Sequence, residues 1–193
     1  MPSPKQKRLV ADQPAQLAAL TSPVRLELLE QFGIWGPCAV ADVAAHMERP
    51  ADALYYHVRK LVQVGLLEIV GRRRKAHRFE DLYKLPAEVI EVPRKTTTAR
   101  VKQATQKAIE AVLRLAGREL SAALDDETAA DEGPQRTFYG RRLKARLTKT
   151  QIRELNKHVN AIEAVFAAAT VKPPRDGRTV AVTVVMTPVR GAQ

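Results

Sequence analysis

The segment from Pro50 to Gly65 constrains this chain most, because both of its ends are marked and one of its faces is apolar. Proline at the start of a helix sacrifices no hydrogen bond, and Asp52 in the opening turn sits at the favourable, positive end of the helix dipole. Leu54, Val58, Leu61 and Val62 then fall on one stripe, and Gly65 supplies the stop. A helix over 51–64 with one such stripe has to be covered by other elements, and the sequence provides them on both sides. Upstream, Ala39 starts a helix with Val40, Val43, Ala44 and Met47 on one face, and Glu48-Arg49-Pro50 is the whole link between the two. Farther back, Ser22-Pro23 opens a helix carrying Val24, Leu28, Leu29 and Phe32, with Gly33 ending the pattern. A short apolar helix around Leu17 to Leu20 precedes it. Downstream, 66–70 and 76–80 read as two strands of a hairpin around the charged turn Gly71 to Lys75.

Helices at 39–47 and 51–64 with so tight a link have the spacing of a helix-turn-helix, and the hairpin is placed as its wing. The second helix of such a pair is the one presented to a DNA major groove about 12 Å wide. With the stripe turned inward, Ala51, Asp52, Tyr55, Tyr56 and Arg59 face solvent or the groove. Bare tyrosine rings on a helix are unfavourable, while their hydroxyls reach phosphates or base edges. Packing on the wing is the alternative for Tyr56 and His57, and a solvated side chain is the alternative for Arg59. The wing, 71–78, gathers Arg72, Arg73, Arg74 and Lys75 in consecutive positions. In isolation that run is a solvated turn; directly after a helix-turn-helix it points to phosphate contact.

The run Ala19-Leu20-Thr21-Ser22-Pro23-Val24-Arg25-Leu26-Glu27-Leu28-Leu29 resembles the opening of the ArsR-like winged-helix repressors. Leu54-Tyr55-Tyr56-His57-Val58-Arg59-Lys60-Leu61, followed by Gly65-Leu66-Leu67, resembles their recognition helix. The resemblance covers about residues 13–85 and implies a dimeric bacterial transcriptional regulator. Metal-sensing members carry Cys-x-Cys just before an Asp-Leu pair; here that pair is Asp42-Val43, and the cysteine positions hold Ala39 and Ala41. Cys38 stands one residue off and alone, and His46, His57, His77 and His158 show no ligand spacing. No metal or other cofactor is expected, and Cys38 reads as a small buried hydrophobe.

A long helix is expected from Lys95 to Leu124, with Val101, Thr105, Ile109, Val112, Leu113, Ala116, Leu120 and Leu124 on one broad face. Arg94, Lys95, Arg100, Lys102, Lys107, Arg114 and Arg118 dominate the other. Burial of that stripe against a second copy makes this a dimerisation helix, centred on Ile109, Val112, Leu113, Ala116 and Leu120; packing on its own C-terminal segment is the alternative. After an acidic loop at 125–134, the alternation of Leu143, Ala145 and Leu147 with Arg142, Lys144 and Arg146 predicts a half-buried strand. Thr148-Lys149-Thr150-Gln151 matches a capping box opening a helix with Ile152, Leu155, Val159, Ile162, Phe166 and Ala169 inward. A turn at Pro173-Pro174 and Asp176-Gly177 leads to a β-branched strand over 179–187. Two strands alone are marginal, so this unit should pack on the long helix or pair across a dimer, and it is a candidate effector domain.

The fold class is therefore α+β, mostly α. A polar tail at 1–12 precedes a winged helix-turn-helix at 13–92. A long dimerisation helix with a strand-helix-strand region follows at 93–193. The chain of 193 residues carries 32 Lys+Arg against 21 Asp+Glu, a formal net charge of +11, which favours a polyanionic partner. That charge is uneven: residues 1–92 hold 13 basic and 11 acidic residues, a net of +2, and residues 93–193 hold 19 and 10, a net of +9. No apolar run approaches a membrane span, no secretory signal follows the basic start, and a single cysteine forbids an internal disulfide. A cytoplasmic location is expected. Convergent acid/base or nucleophile pairs and glycine-rich phosphate loops are not visible, so no enzyme activity is expected. The function expected is that of a sequence-specific regulator, a repressor, binding a double-stranded operator as a homodimer, with a small-molecule effector as a candidate further partner. The alternatives are non-specific architectural DNA binding and a protein-interaction adaptor.

Overall fold

The computed structural model describes residues 7–93, 98–171 and 176–189. The expectations for Arg94, Lys95 and Pro173-Pro174, and for the first six residues of the tail, lie outside the described residues. The chain divides into two compact units, Met1–Leu115 and Ala116–Gln193.

In the first unit the order is β1 (Arg8–Val10), α1 (Pro14–Ala19), α2 (Pro23–Trp35), α3 (Val40–His46), α4 (Ala51–Gln63), β2 (Glu68–Lys75), β3 (Arg78–Lys84) and β4 (Val89–Glu91). The first part of α5 (Ala99–Leu124) completes it. One core holds the helices together: Leu28, Phe32, Val43, Leu54, Val58, Leu61, Leu66 and Leu67 are buried in a single cluster, with Ala108 of α5 among them. Burying each large apolar side chain contributes on the order of 1.5–3 kcal/mol. Polar groups seal the helix ends. Buried Gln16 donates from Nε2 to the Val64 carbonyl at 3.1 Å. Arg25 donates to the Ala19 and Ala18 carbonyls at the end of α1, at 2.6 and 3.0 Å.

α2 continues through Gly33, where its apolar pattern predicts an end, and stops at Gly36. A Cβ at Gly36 would meet the Phe32 carbonyl oxygen at 2.4 Å, so glycine is required there by space. The hairpin also differs from expectation. Gly71 to Lys75 is not a turn but the outer half of β2, paired antiparallel with β3 so that Arg72 faces Asp81, Arg73 faces Glu80, Arg74 faces Phe79 and Lys75 faces Arg78. The reversal falls at Ala76-His77, where Ala76 takes a φ of 52°. Cross-strand carboxylates let the basic run extend as strand, which the run by itself does not reveal. A second correction concerns the tail at 1–12: Arg8–Val10 pairs in parallel with Val89–Glu91, with Leu9 opposite Ile90. Arg8 bonds Glu91 at 2.5 Å, and Ala11 is fully buried.

The second unit contains the end of α5 and α6 (Lys149–Val171). The capping box is formed: the Thr148 N–H donates to Gln151 Oε1 at 2.9 Å and the Gln151 N–H to Thr148 Oγ1 at 3.3 Å. The strands expected at 141–147 and 179–187 are not ladders in this chain; both segments run without a turn or bend, and neither has a backbone partner among the described residues. Alternation and β-branching favour an extended chain, but a strand exists only when something pairs with it.

Candidate nucleic-acid interface

α3 and α4 are joined by a tight turn in which Glu48 takes a φ of 52° and the Arg49 N–H donates to the Ala44 carbonyl at 3.0 Å. Arg49 also bonds Glu27 of α2 at 3.1 Å, which fixes the turn against the body of the unit. The far end of α4 closes in a Schellman arrangement: the Leu66 N–H reaches the Leu61 carbonyl at 2.9 Å and the Gly65 N–H the Val62 carbonyl at 3.0 Å, with Gly65 at a φ of 71°. Leu54, Val58 and Leu61 are buried, so the helix cannot rotate and its opposite face is set.

That opposite face presents Asp52, Tyr55, Tyr56 and Arg59, with Tyr55 40% and Tyr56 56% exposed. Ala51 lies at its edge, partly buried and packed against the core. Lys60, which the sequence reading did not single out as a contact residue, is exposed beside Tyr56, with its Nζ 6.0 Å from the ring centre. A periodicity count places it one residue beyond Arg59 on the outer face, so the signal was present. The Tyr56 ring meets His57 edge-on at 5.5 Å, both on α4. His57 itself is half-buried, and its Nδ1 is buried without a hydrogen-bond partner. Burial, with Arg25 and Arg49 nearby, holds its pKa below the usual histidine range.

The wing is far less free in charge than its sequence suggests. Arg72 bonds Asp81 at 2.7 Å. Arg73 bonds Asp42 of α3 at 2.7 Å and Glu80 at 2.8 Å. Lys75 stands 4.0 Å from Glu80. Of the run at 72–75, only Arg74 has no acidic partner among the described residues. Asp42 is shared, since its second oxygen accepts the Ala39 N–H at 2.9 Å and caps α3. Partial burial pushes its pKa up, but the Arg73 and Ala39 hydrogen bonds and the charges of Arg73 and Lys75 outweigh this and leave it below the usual carboxylate range. Nearby Cys38 is buried and its thiol is pushed up to about 11 by burial and by Asp42, against a smaller opposing effect of Arg73. At ordinary pH it is an inert thiol. Cys38 also pairs with Tyr83 of β3, donating to and accepting from its backbone at 3.2 and 2.9 Å, so α3 and the wing are bound twice.

These features are one rigid unit: two helices at a fixed angle, the second offering aromatic and basic side chains, beside a hairpin anchored to the first. Residues 20–70 match the family model described as a helix-turn-helix domain. The segment 20–70 is a helix-turn-helix domain. Comparison with curated proteins found no match. DNA is the partner this domain suggests, and transcription regulation the role. The helix-turn-helix domain contains α2, α3 and α4 entire, and the exposed face of α4 lies on the second helix of its α3–α4 pair. Among the described residues no group of three or more His, Cys, Asp or Glu could hold a metal ion. No described helix is long and apolar enough to cross a membrane.

Proposed function

We propose that this protein is a dimeric, sequence-specific transcriptional regulator of the ArsR-like kind, a cytoplasmic repressor that reads a double-stranded operator with α4. The observation that carries the reading is the exposed Tyr55, Tyr56 and Arg59 face on the second helix of the α3–α4 pair, held outward by its buried Leu54, Val58 and Leu61. Arg74 and Lys75 on the wing supply phosphate contacts, while Arg73 holds the wing in place. Dimerisation is supported by α5, which buries Ala108, Ala111 and Leu115 in its own chain yet leaves Ile109, Val112, Leu113 and Leu120 exposed; Ala116 lies half-buried between the two sets. Two copies then meet half-sites roughly 34 Å apart, one helical turn of DNA. The reading is of a binding protein rather than an enzyme: the carboxylates that meet the wing arginines, Asp42, Glu80 and Asp81, are taken up in ion pairs.

The test is titration of a fluorescent duplex from the protein's own upstream region against a random duplex. Tight binding to the first is expected, with Tyr55→Ala combined with Arg59→Ala abolishing the difference, on the order of 1–3 kcal/mol per lost base contact. Equal affinity of the unmodified protein for both duplexes sinks this reading.

A further inference from the structure

The second unit contains a segment built to pair that has no backbone partner among the described residues. Residues 177–189 run for 13 positions without a turn or bend, and among the described residues no backbone hydrogen bond reaches them. Thr179 to Thr187 is β-branched almost throughout and carries no charge. Val180, Val182, Val184 and Met186 fall on one side of an extended chain and are 39% to 53% exposed. The segment is also held at its start: Arg178 donates to the Thr128 carbonyl at 2.7 Å and pairs with Asp126. An uncharged, straight, anchored edge with open N–H and C=O groups is a template for another strand.

We propose that 179–187 forms an antiparallel ladder with the same segment of a second copy of this chain, completing the second unit as a two-fold interface. Charge decides the occupant. The other straight run, 136–148, carries Arg136, Arg141, Arg142, Lys144 and Arg146, and facing its own copy it would align like charges. Self-pairing of 179–187 meets no such penalty, because the segment itself carries no charge and the adjoining Arg178 is already engaged within the unit. A two-fold contact is self-complementary, as an uncharged segment opposite itself must be. Stable interfaces take ~800 Å² from each partner, and the half-exposed Val180, Val182, Val184 and Met186 supply part of that. Besides the segment itself, the same unit leaves Ile162 and Phe166 of α6 39% and 40% exposed.

This deepens the dimeric reading above, and the two fail separately. Analytical ultracentrifugation of the full chain at micromolar loading should give a dimer, and of Thr183→Pro and Val184→Pro the one that removes a ladder donor should weaken it at least about 100-fold. Single cysteines placed in turn from Ala181→Cys to Val185→Cys, in a Cys38→Ala background, should cross-link on oxidation, with a maximum at the residue on the two-fold axis and a fall to either side. The scan leaves the ladder intact, so it reports even where a proline variant misfolds. A monomer in the unmodified protein overturns this inference and the dimeric reading together. A dimer with no cross-linking maximum at 181–185 overturns this inference alone and leaves α5 as the interface.

Discussion

Asp42 shows how much one side chain decides here. Its two oxygens cap α3 through the Ala39 N–H and hold the wing through Arg73, so it joins a local duty to a long-range one. Its folded pKa lies below the ordinary value, so the stability it contributes is present above the unfolded pKa of about 4 and is lost as pH falls through the folded value. Asp42→Ala should therefore destabilise the protein by about 1 kcal/mol at neutral pH. Urea melts of both proteins should converge as the pH drops below about 4; a gap of constant size down to pH 3 would show that the carboxylate charge is not responsible. Gly65 is the second such residue. Space around it is open, so Gly65→Ala meets no clash, but its left-handed backbone should cost about 1–2 kcal/mol, read as a lower thermal midpoint.

At the scale of elements, α4 and the wing contrast. The helix was legible almost to the residue, because a proline start and a glycine stop bracket a 3.6-residue stripe within about fifteen positions. The wing was legible as a hairpin but not in register or charge, since its turn sits at Ala76-His77 and its arginines answer to Asp81, Glu80 and Asp42. Neighbouring arginines consequently have different duties, and substitution separates them. Arg74→Ala should lower the salt dependence of DNA binding by about one counterion and leave the melting temperature unchanged. Arg73→Ala should lower the melting temperature, and the salt slope much less. The same salt slope for both variants would mean that the ion pairs open on DNA.

At the scale of the whole molecule, residues 8–11 are part of the first unit rather than of a tail. β1 pairs with β4, and Ala11 reaches the core. Deleting residues 1–12 should expose Leu9's partner Ile90 and remove the Arg8–Glu91 pair, lowering stability by about 2 kcal/mol or more in a denaturant melt. An unchanged midpoint would return the segment to the status of a tail. α5 likewise serves two surfaces. One apolar set is spent within the chain and another is left over, where the sequence showed a single broad face.

By itself the sequence determined the helix order, the tight link between α3 and α4, the outward face of Tyr55, Tyr56 and Arg59, and the capping box of α6. Each of these rests on residues within one or two helical turns of one another, where propensity, capping and periodicity act. Tertiary structure alone decided that Arg73 is a bolt rather than a free cation, that Arg8–Val10 is a strand, and that 141–147 and 179–187 find no backbone partner among the described residues. Those outcomes depend on partners far away in sequence, 31 residues between Asp42 and Arg73 and 83 between Arg8 and Glu91. An ion pair or a ladder is a property of two segments, and no pattern within one of them specifies the other.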